Sequence, residues 1–581
     1  MEARTSENQA GIVVPTTTLT LLLLGLLVFL SIYQMEPPSV VGADAAPTAF
    51  SAERAMQHVQ VIAQRPHPTG SAENAAARDY IVAQLTSMGL QPEVQTTDVS
   101  RTLRGDRQSS ATIQNVLARI EGSANTNDAV AIAAHYDSVE DGPGASDDVA
   151  AIGAMIETAR AIQAGPQPSN DIIFIFTDGE ELGLLGAQGF IDQHPWAQDV
   201  KVVLNFEARG TTGPSYMFET SNNNGWLVRQ FARFAPNAVG YSFTFDIYRL
   251  LPNDTDLTVF RAANKAGIGF AFIDGYLHYH MPTDNVANLN PRSVQHHGTY
   301  MLSLAQGMGN TSLDTVQETN RVYFSLFGLI VHYSENWNLP LLILTLIAFL
   351  AVLVLGFRRR RLTAKGLTAG FFIFLLALIL TLAGIFAVSN IIPVLGVEPV
   401  NMLNGSTYNW NFFAISYVCM ALGITSALYV AFRKRVLFNN LLVGAWLWWL
   451  IVLIATTFLL PGTSYLFTWP LLLSLIALAV RFRAEDEDAP RPTIVLALLP
   501  AISGILMLTP LIRGLFVALF LPIYLPVLIF VVLLLGLLLP HLTLLTRRYR
   551  WALPGAAFLV GLGLLLYAAL TITPVVATTT G

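Results

Sequence analysis

The stretch AVAIAAHYDSVEDGPGASDDVAAIGAMIETARAIQ, residues 129–163, joins a strand pattern to a helix pattern through an acidic loop. Its first seven residues form a short apolar run, which is typical of a buried parallel strand. Its last seventeen residues have the apolar spacing of a helix. Between Ala133 and Asp148 lie one histidine and five acidic residues. The stretch therefore predicts a strand, a loop rich in potential ligands, and a helix.

Three similar apolar runs follow at 171–177, 201–206 and 267–273, and the segment 181–193 has a helical pattern. Alternating strands and helices of this kind predict an α/β fold with a mainly parallel, mixed sheet and helices on both faces. Residues 48–312 are polar and rich in turn residues, a length that suits one large domain.

Polar residues stand at or just after the ends of these predicted strands, and the carboxyl ends of parallel strands are where such sheets bind ligands. Asp147 alone could be a helix N-cap, Glu180 with Glu181 a solvated loop, and His280 a surface histidine. Together they form a nitrogen and oxygen donor set that suits a divalent ion such as zinc. The only cysteine, Cys419, lies in a predicted membrane span, so no thiolate is expected at this site.

Four motifs resemble the two-zinc exopeptidase family that contains aminopeptidase Y, the glutamate carboxypeptidases and glutaminyl cyclase. They are HYDSVEDGPGASDD, TDGEELGLLG, NFEARG and YHMPTDN, and the resemblance extends over about residues 48–313, including RPHPTGSAENAAARDYIVAQL. The membrane layout also resembles the branch represented by endoplasmic reticulum metallopeptidase and vacuolar membrane protease. The resemblance implies the zinc exopeptidase fold, two zinc ions per chain and a peptide substrate.

The resemblance also assigns a role to each motif residue. It implies that Asp147 bridges two zinc ions, that Glu180 is the general base, and that Tyr279 stabilises the tetrahedral intermediate or only packs. The remaining metal ligands that it implies are His135, Glu181, Glu207 and His280. The acids expected to support these ligands from behind are Asp137, Asp148 and Asp284.

Two positions in this assignment are not straightforward. The family more often has an aspartate where this chain has Glu207, so the extra methylene must be absorbed by the backbone. His278 competes with His280 as the last ligand, but the family motif places an acid four residues after the ligand, and only His280 with Asp284 fits.

The function expected from these motifs is that of a zinc metallopeptidase, most of all an aminopeptidase-like exopeptidase. A glutaminyl-cyclase-like acyltransferase, with one zinc and no first histidine ligand, is disfavoured by His135. A non-catalytic binding or scaffold protein would be expected to have lost ligands. A transporter would place charged residues in its spans. No nucleic-acid partner is expected, and the exopeptidase type and oligomeric state stay open.

The rest of the 581-residue chain predicts a membrane protein, since 53% of its residues are apolar and its mean hydropathy is +0.51. Residues 1–35 predict a transmembrane anchor, although Ala43-Asp44-Ala45 resembles a signal cleavage site. Residues 313–337 are interpreted as a linker and 338–581 as an all-α membrane domain of about eight helices. The predicted spans are 339–357, 366–389, 410–432, 438–460, 463–480, 493–511, 515–539 and 551–573.

Clusters of Arg and Lys follow every second predicted span, beginning with 358–361 and 433–435. Short basic loops stay in the cytoplasm, so this alternation predicts nine spans, a cytoplasmic N-terminus and an exported catalytic domain. A bacterial plasma membrane is the preferred location, with an endoplasmic reticulum or vacuolar membrane and a lumenal catalytic domain as the alternative.

Overall fold

The computed structural model describes residues 7–103, 105–394, 409–484, 490–519, 524–548 and 550–571. The chain divides into two compact units. One unit, residues 34–335, is called here the α/β unit. The other, residues 1–33 with 336–581, is called the helical unit and begins with helix α1 (Glu7–Tyr33).

The α/β unit is built around a seven-stranded mixed sheet in the order β1-β2-β4-β3-β5-β7-β6. Its strands are β1 (Glu93–Thr102), β2 (Gln108–Ile120), β3 (Ala129–His135), β4 (Asp171–Thr177), β5 (Val200–Ala208), β6 (Tyr216–Thr220) and β7 (Ala266–Phe272). The four central strands β4, β3, β5 and β7 are parallel, and β1, β2 and β6 pair antiparallel at the two edges. The α/β class and the mainly parallel, mixed sheet are therefore confirmed.

Helices cover both faces of this sheet, as predicted. They are α2 (Ala52–Ile62), α3 (Ala72–Ser87), α4 (Val149–Gln163), α5 (Leu185–Gln193), α6 (Gly225–Phe234), α7 (Ser242–Tyr248), α8 (Asp256–Ala262) and α9 (Pro291–Gly309). Alternate residues of β3 point to opposite faces. Val130 and Ile132 join a core with α2, α4 and α9, whereas Ala131 joins a core with α5 and α8.

A hairpin of β8 (Arg321–Leu326) and β9 (Leu329–Ser334) lies in the segment interpreted from sequence as a linker. Its Tyr323 is fully buried. The backbone amide of Tyr323 donates to Ser242 Oγ (3.1 Å), and Ser325 Oγ donates to the carbonyl of Ala238 (2.9 Å). The α/β unit therefore extends beyond residue 312, because two short strands too brief to stand out in sequence complete its core.

The helical unit contains, after α1, nine further helices in the described residues. They are α10 (Asn338–Arg358), α11 (Ala364–Val394), α12 (Trp410–Phe432), α13 (Phe438–Leu459), α14 (Tyr465–Arg483), α15 (Pro490–Ala518), α16 (Leu525–Leu537), α17 (Leu539–Arg548) and α18 (Ala552–Leu570). Seven helices here are long and apolar enough to cross a membrane, and the pair α16–α17, bent by 67°, would make an eighth if it forms one span.

The structure differs from the predicted spans around residue 513. The sequence pattern ends one span at 511 and starts another at 515, because Arg513 and Gly514 interrupt the apolar run. Helix α15 continues through both residues to Ala518, and the next helix is short and followed by the bend. The predicted anchor at 1–35 falls partly outside the described residues; the apolar part of α1 that is described is Thr18–Tyr33.

Candidate metal centre

The carboxyl ends of three neighbouring parallel strands bring the predicted ligands together. His135 is the last residue of β3, and Glu207 lies near the end of β5, which pairs with β3. Glu180 and Glu181 follow β4, which pairs with β3 on its other side. Residues far apart in sequence therefore converge because the strand order places β3 between β4 and β5.

Among the described residues, potential ligand atoms form three groups of three: one consists of His135, Glu180 and Glu181, and the other two, called here the first and second ligand groups, share Asp147. In the first group, His135 Nε2 lies 3.2 Å from Asp147 Oδ1 and 3.7 Å from Glu207 Oε2. In the second, His280 Nε2 lies 3.2 Å from Asp147 Oδ2 and 3.1 Å from Glu181 Oε1. The two oxygens of one carboxylate thus face two different histidines.

This donor set fits two zinc ions. Ligand atoms about 2.0 Å from one tetrahedral zinc ion lie about 3.3 Å from each other, which is close to the separations found here. Imidazole nitrogens and carboxylate oxygens are ordinary zinc ligands, and a carboxylate with one oxygen toward each group can bridge two ions. His135, Asp147 and Glu207 would hold one ion, and Asp147, Glu181 and His280 the other.

Asp137 supports both His135 and the glutamate pair. Its backbone carbonyl accepts a hydrogen bond from His135 Nδ1 (2.9 Å), which fixes the ring with Nε2 toward the site. Its carboxylate, 3.6 Å from the same Nδ1, accepts from the backbone amides of Glu180 (3.1 Å) and Glu181 (3.2 Å). Thr69 Oγ1 also donates to this carboxylate. The Asp137 side chain thus orients the loop after β4 as well as His135.

Asp284 holds the loop that carries Asp147. Its carboxylate accepts from the backbone amides of Ser146 (2.9 Å) and Asp147 (3.1 Å). Gly144 closes the same loop with φ of +60°, and a Cβ there would lie 2.5 Å from the carbonyl oxygen of Asp147. Burial and the nearby charge of Asp147 raise the pKa of Asp284 to about 7.

The N-cap interpretation of Asp147 does not match the structure. The N-cap of α4 is Asp148, and its side chain makes no capping hydrogen bond. Both carboxylate oxygens of Asp148 are buried without a hydrogen-bond partner among the described residues. Burial, and then the charge of Glu207, raise the pKa of Asp148 well above its usual range. Asp148 is thus close enough to Glu207 for that charge to act on it, and its supporting role stays a prediction.

A carboxylate oxygen of Glu180 lies within 4.8 Å of potential ligand atoms of both His135 and Glu181, one from the first and one from the second ligand group. Removal from water raises the pKa of its carboxyl well above the usual range of glutamate, which is the direction that suits a general base. A cavity of about 540 Å³ opens at Glu180 and Glu181 and is also lined by Arg101, Leu103 and Pro252. Glu180 therefore stands where a substrate in this cavity would meet the metal centre.

Glu207 lies within reach of the first ligand group despite its extra methylene. Its Oε1 accepts a hydrogen bond from Asn205 Nδ2 (3.1 Å), which leaves Oε2 toward His135. The imidazole Nε2 of His297 lies 3.1 Å from the backbone carbonyl of Glu207. Burial raises the pKa of Glu207 to about 8, because removal from water disfavours the charged carboxylate.

His280, not His278, is the histidine that reaches the second ligand group. His280 has a φ of +58°, a left-handed conformation that non-glycine residues adopt uncommonly and often at functional sites. The ring of Tyr279 stacks on it with centroids 3.8 Å apart. Tyr279 therefore has a packing contact with a proposed ligand, which fits the packing alternative for this residue; its catalytic role stays a prediction.

Two residues near the site were not identified from the sequence. Asp256 is fully buried, accepts a hydrogen bond from Thr177 Oγ1 (2.5 Å), and lies close enough to raise the pKa values of Glu180 and Glu207. Arg209 follows β5 and stacks over tyrosines beside His280. Asp256 comes close to Glu180 and Glu207 only through tertiary packing. Arg209, in contrast, lies within the motif NFEARG and could have been identified from the sequence as a residue near the site.

Comparison with known proteins identifies a peptidase family and membrane proteases among similar proteins. Residues 115–305 match the sequence model of Peptidase family M28. The chain is 30% identical over 333 residues to endoplasmic reticulum metallopeptidase 1 of Rattus norvegicus, covering 54% of this chain and 37% of that protein. It is 29% identical over 282 residues to vacuolar membrane protease of Candida dubliniensis, covering 46% of this chain and 30% of that protein. The chain thus spans well under half the length of both relatives.

Among solved structures, the chain is similar to an aminopeptidase from Aneurinibacillus sp. strain AM-1, with a TM-score of 0.36 and 15% identity, covering 47% of this chain and 97% of that one. The family match spans β3, β4, β5 and β7 and every proposed ligand. The chain therefore carries a domain of Peptidase family M28, a family of metallopeptidases.

Proposed function

We propose that this chain is a membrane-bound zinc peptidase that hydrolyses peptide bonds with two zinc ions and Glu180 as the general base. The observation that carries the proposal is the pair of ligand groups joined through the two oxygens of Asp147. The matching family and the named metallopeptidase relatives support it.

Different residues of the chain would have different roles in peptide hydrolysis. Zinc ions held by the two groups would polarise the substrate carbonyl and lower the pKa of the attacking water. Glu180 accepts the proton of that water and returns it to the departing amine. Asp137 fixes Glu180 through its backbone amide. The cavity beside Glu180 and Glu181 is the proposed entry for the peptide.

The substitution Glu180→Gln tests this assignment, because it removes proton transfer while leaving every proposed ligand in place. We expect the variant to keep the zinc content of the wild type and to lose about 10²- to 10⁴-fold in kcat. Zinc analysis and hydrolysis of a peptide panel with free or blocked N- and C-termini would be measured on the same samples. A Glu180→Gln protein with wild-type kcat would remove the general-base role.

We further propose that the α/β unit faces the lumen of the endoplasmic reticulum or of a vacuole. The alternating basic clusters support the orientation. The named relatives support these membranes and give no support to the bacterial plasma membrane preferred from sequence.

Single cysteines in a Cys419→Ser background test this topology. Asn222 and Ala364 are exposed positions in the α/β unit and at the start of α11. In sealed organelle vesicles, a membrane-impermeant thiol reagent should label the cysteine of Ala364→Cys but reach that of Asn222→Cys only after the membrane is opened. The reverse pattern would place the catalytic domain in the cytoplasm.

A further inference from the structure

Arg209 is a cation beside the proposed metal centre, and no described acidic residue forms an ion pair with it. It directly follows β5 and lies two residues after the proposed ligand Glu207. Its side chain lies over Tyr276 and Tyr279, and Tyr279 contacts His280, so Arg209 lies on the ligand-bearing side of the sheet. Across the described ranges no ion pair joins Arg209 to a carboxylate, although the surroundings are rich in acids.

Two tyrosine rings lie against the Arg209 guanidinium. Its Cζ lies 4.7 Å from the ring centroid of Tyr276 and 5.9 Å from that of Tyr279. The two tyrosine rings stack with centroids 5.7 Å apart, and Tyr279 in turn stacks on His280. Ring contacts through Tyr276 and Tyr279 therefore connect Arg209 with His280 of the second ligand group. These contacts position the guanidinium independently of any substrate.

The hydrogen-bonding capacity of Arg209 is largely unused. Nη2 lies 3.5 Å from Tyr276 Oη, at the limit of a hydrogen bond. Nε is buried and has no hydrogen-bond partner in the parts of the chain that the structure describes. A buried, unpaired donor on a charged group is costly unless a ligand supplies the acceptor. The planar guanidinium is well suited to a carboxylate, which can accept two parallel hydrogen bonds.

We propose that Arg209 binds a carboxylate of the peptide substrate and so selects peptides that carry one close to the scissile bond. This inference rests on the proposed peptidase function. The carboxylate comes either from the free C-terminus of a short peptide or from an acidic side chain next to the scissile bond. Either group would be repelled by the acids of the site without a cation to receive it.

Two matched pairs of peptides distinguish these sources. One pair differs only in a free or amidated C-terminus, and the other only in Glu or Gln next to the scissile bond. The zinc-loaded full chain should favour the carboxylate member of one pair by about 10- to 100-fold in kcat/KM. In Arg209→Met that preference should disappear through a loss on the carboxylate member alone. Arg209→Lys, which keeps the charge, should restore part of it.

Arg233→Met is the matched control, because Arg233 also stacks on an aromatic ring, 4.9 Å from the centroid of Phe234, but lies on α6 and forms no part of the site. It should leave the preference unchanged. If Arg209→Met slows both members of each pair equally, Arg209 only supports the tyrosines and the inference is overturned. A wild type without preference in either pair overturns it as well.

Binding measurements separate this inference from the proposed function. In a Glu180→Gln background, calorimetry with the same peptides should show the carboxylate preference, and adding Arg209→Met should remove it. If the wild type cleaves no peptide, the proposed function fails while these binding data still decide the role of Arg209. Equal affinities for both members of each pair in the Glu180→Gln protein would contradict the inference.

Discussion

The first and second ligand groups of the proposed metal centre, called here its two halves, share Asp147 but are held in different ways. The first half takes His135 and Glu207 from neighbouring central strands, and their side chains are 1% and 9% exposed. The second half takes Glu181 and His280 from loops, and their side chains are 12% and 36% exposed. One half is thus part of the sheet framework, whereas the other is open toward the cavity at Glu180 and Glu181.

This difference predicts that the two halves hold their metal ions with different affinities. The side chain of His135 is fixed by the Asp137 carbonyl and that of Glu207 by Asn205, so the buried half is organised before an ion binds. The His280 half depends on a residue in the left-handed backbone region and on ligands that lie outside the sheet. We therefore expect the first ion to be held more tightly and the second to exchange more readily with solvent.

The largest effect should come from the residue that both halves share. Asp147→Ala should lose both ions and reduce hydrolysis by on the order of 10⁴-fold or more, because each group of three then has only two ligands. Zinc content and kcat/KM on one peptide would be measured together, with a thermal melt to show that the fold persists. Retention of one full equivalent of zinc would show that the halves do not depend equally on Asp147.

A smaller effect should separate the two histidines. His280→Ala should leave about one zinc per chain, held as firmly against a chelator as the tighter ion of the wild type. His135→Ala should leave a protein whose remaining zinc is removed by much lower chelator concentrations. If both variants release zinc at the same chelator concentration, the proposed difference between the buried and the open half does not exist.

The smallest effect should come from the acid that supports the Asp147 loop without touching an ion. Asp284→Asn keeps the size of the side chain but weakens the hydrogen bonds to the amides of Ser146 and Asp147, so zinc affinity should fall by about 10- to 100-fold. Asp314→Asn, at an exposed acid outside the site, is the control and should change nothing. An Asp284→Asn protein with unchanged zinc affinity would mean that the loop is held by other contacts.

Much of the fold and of the candidate site follows from local patterns. The runs that become β3, β4, β5 and β7 are apolar on both faces, which sequence periodicity detects, and the acids and histidines at their ends identify the binding edge. Convergence of His135, Glu181 and Glu207 then follows from strand order in a parallel sheet.

Other features depend on tertiary contacts that no local pattern carries. The β8–β9 hairpin is recognisable only once Tyr323 is seen buried in the core. Asp256 begins an unremarkable short helix, and only packing brings it near Glu180. The continuation of α15 through Arg513 overrides the hydropathy break on which the predicted spans relied.

The most direct test of the account is to count and locate the ions in the wild-type protein. Zinc analysis of the purified full chain, combined with anomalous diffraction at the zinc edge, should give about two ions per chain, one beside His135 and Glu207 and one beside Glu181 and His280, with Asp147 between them. A fully active protein with a single ion, or with ions that do not contact Asp147, would contradict the shared two-metal centre.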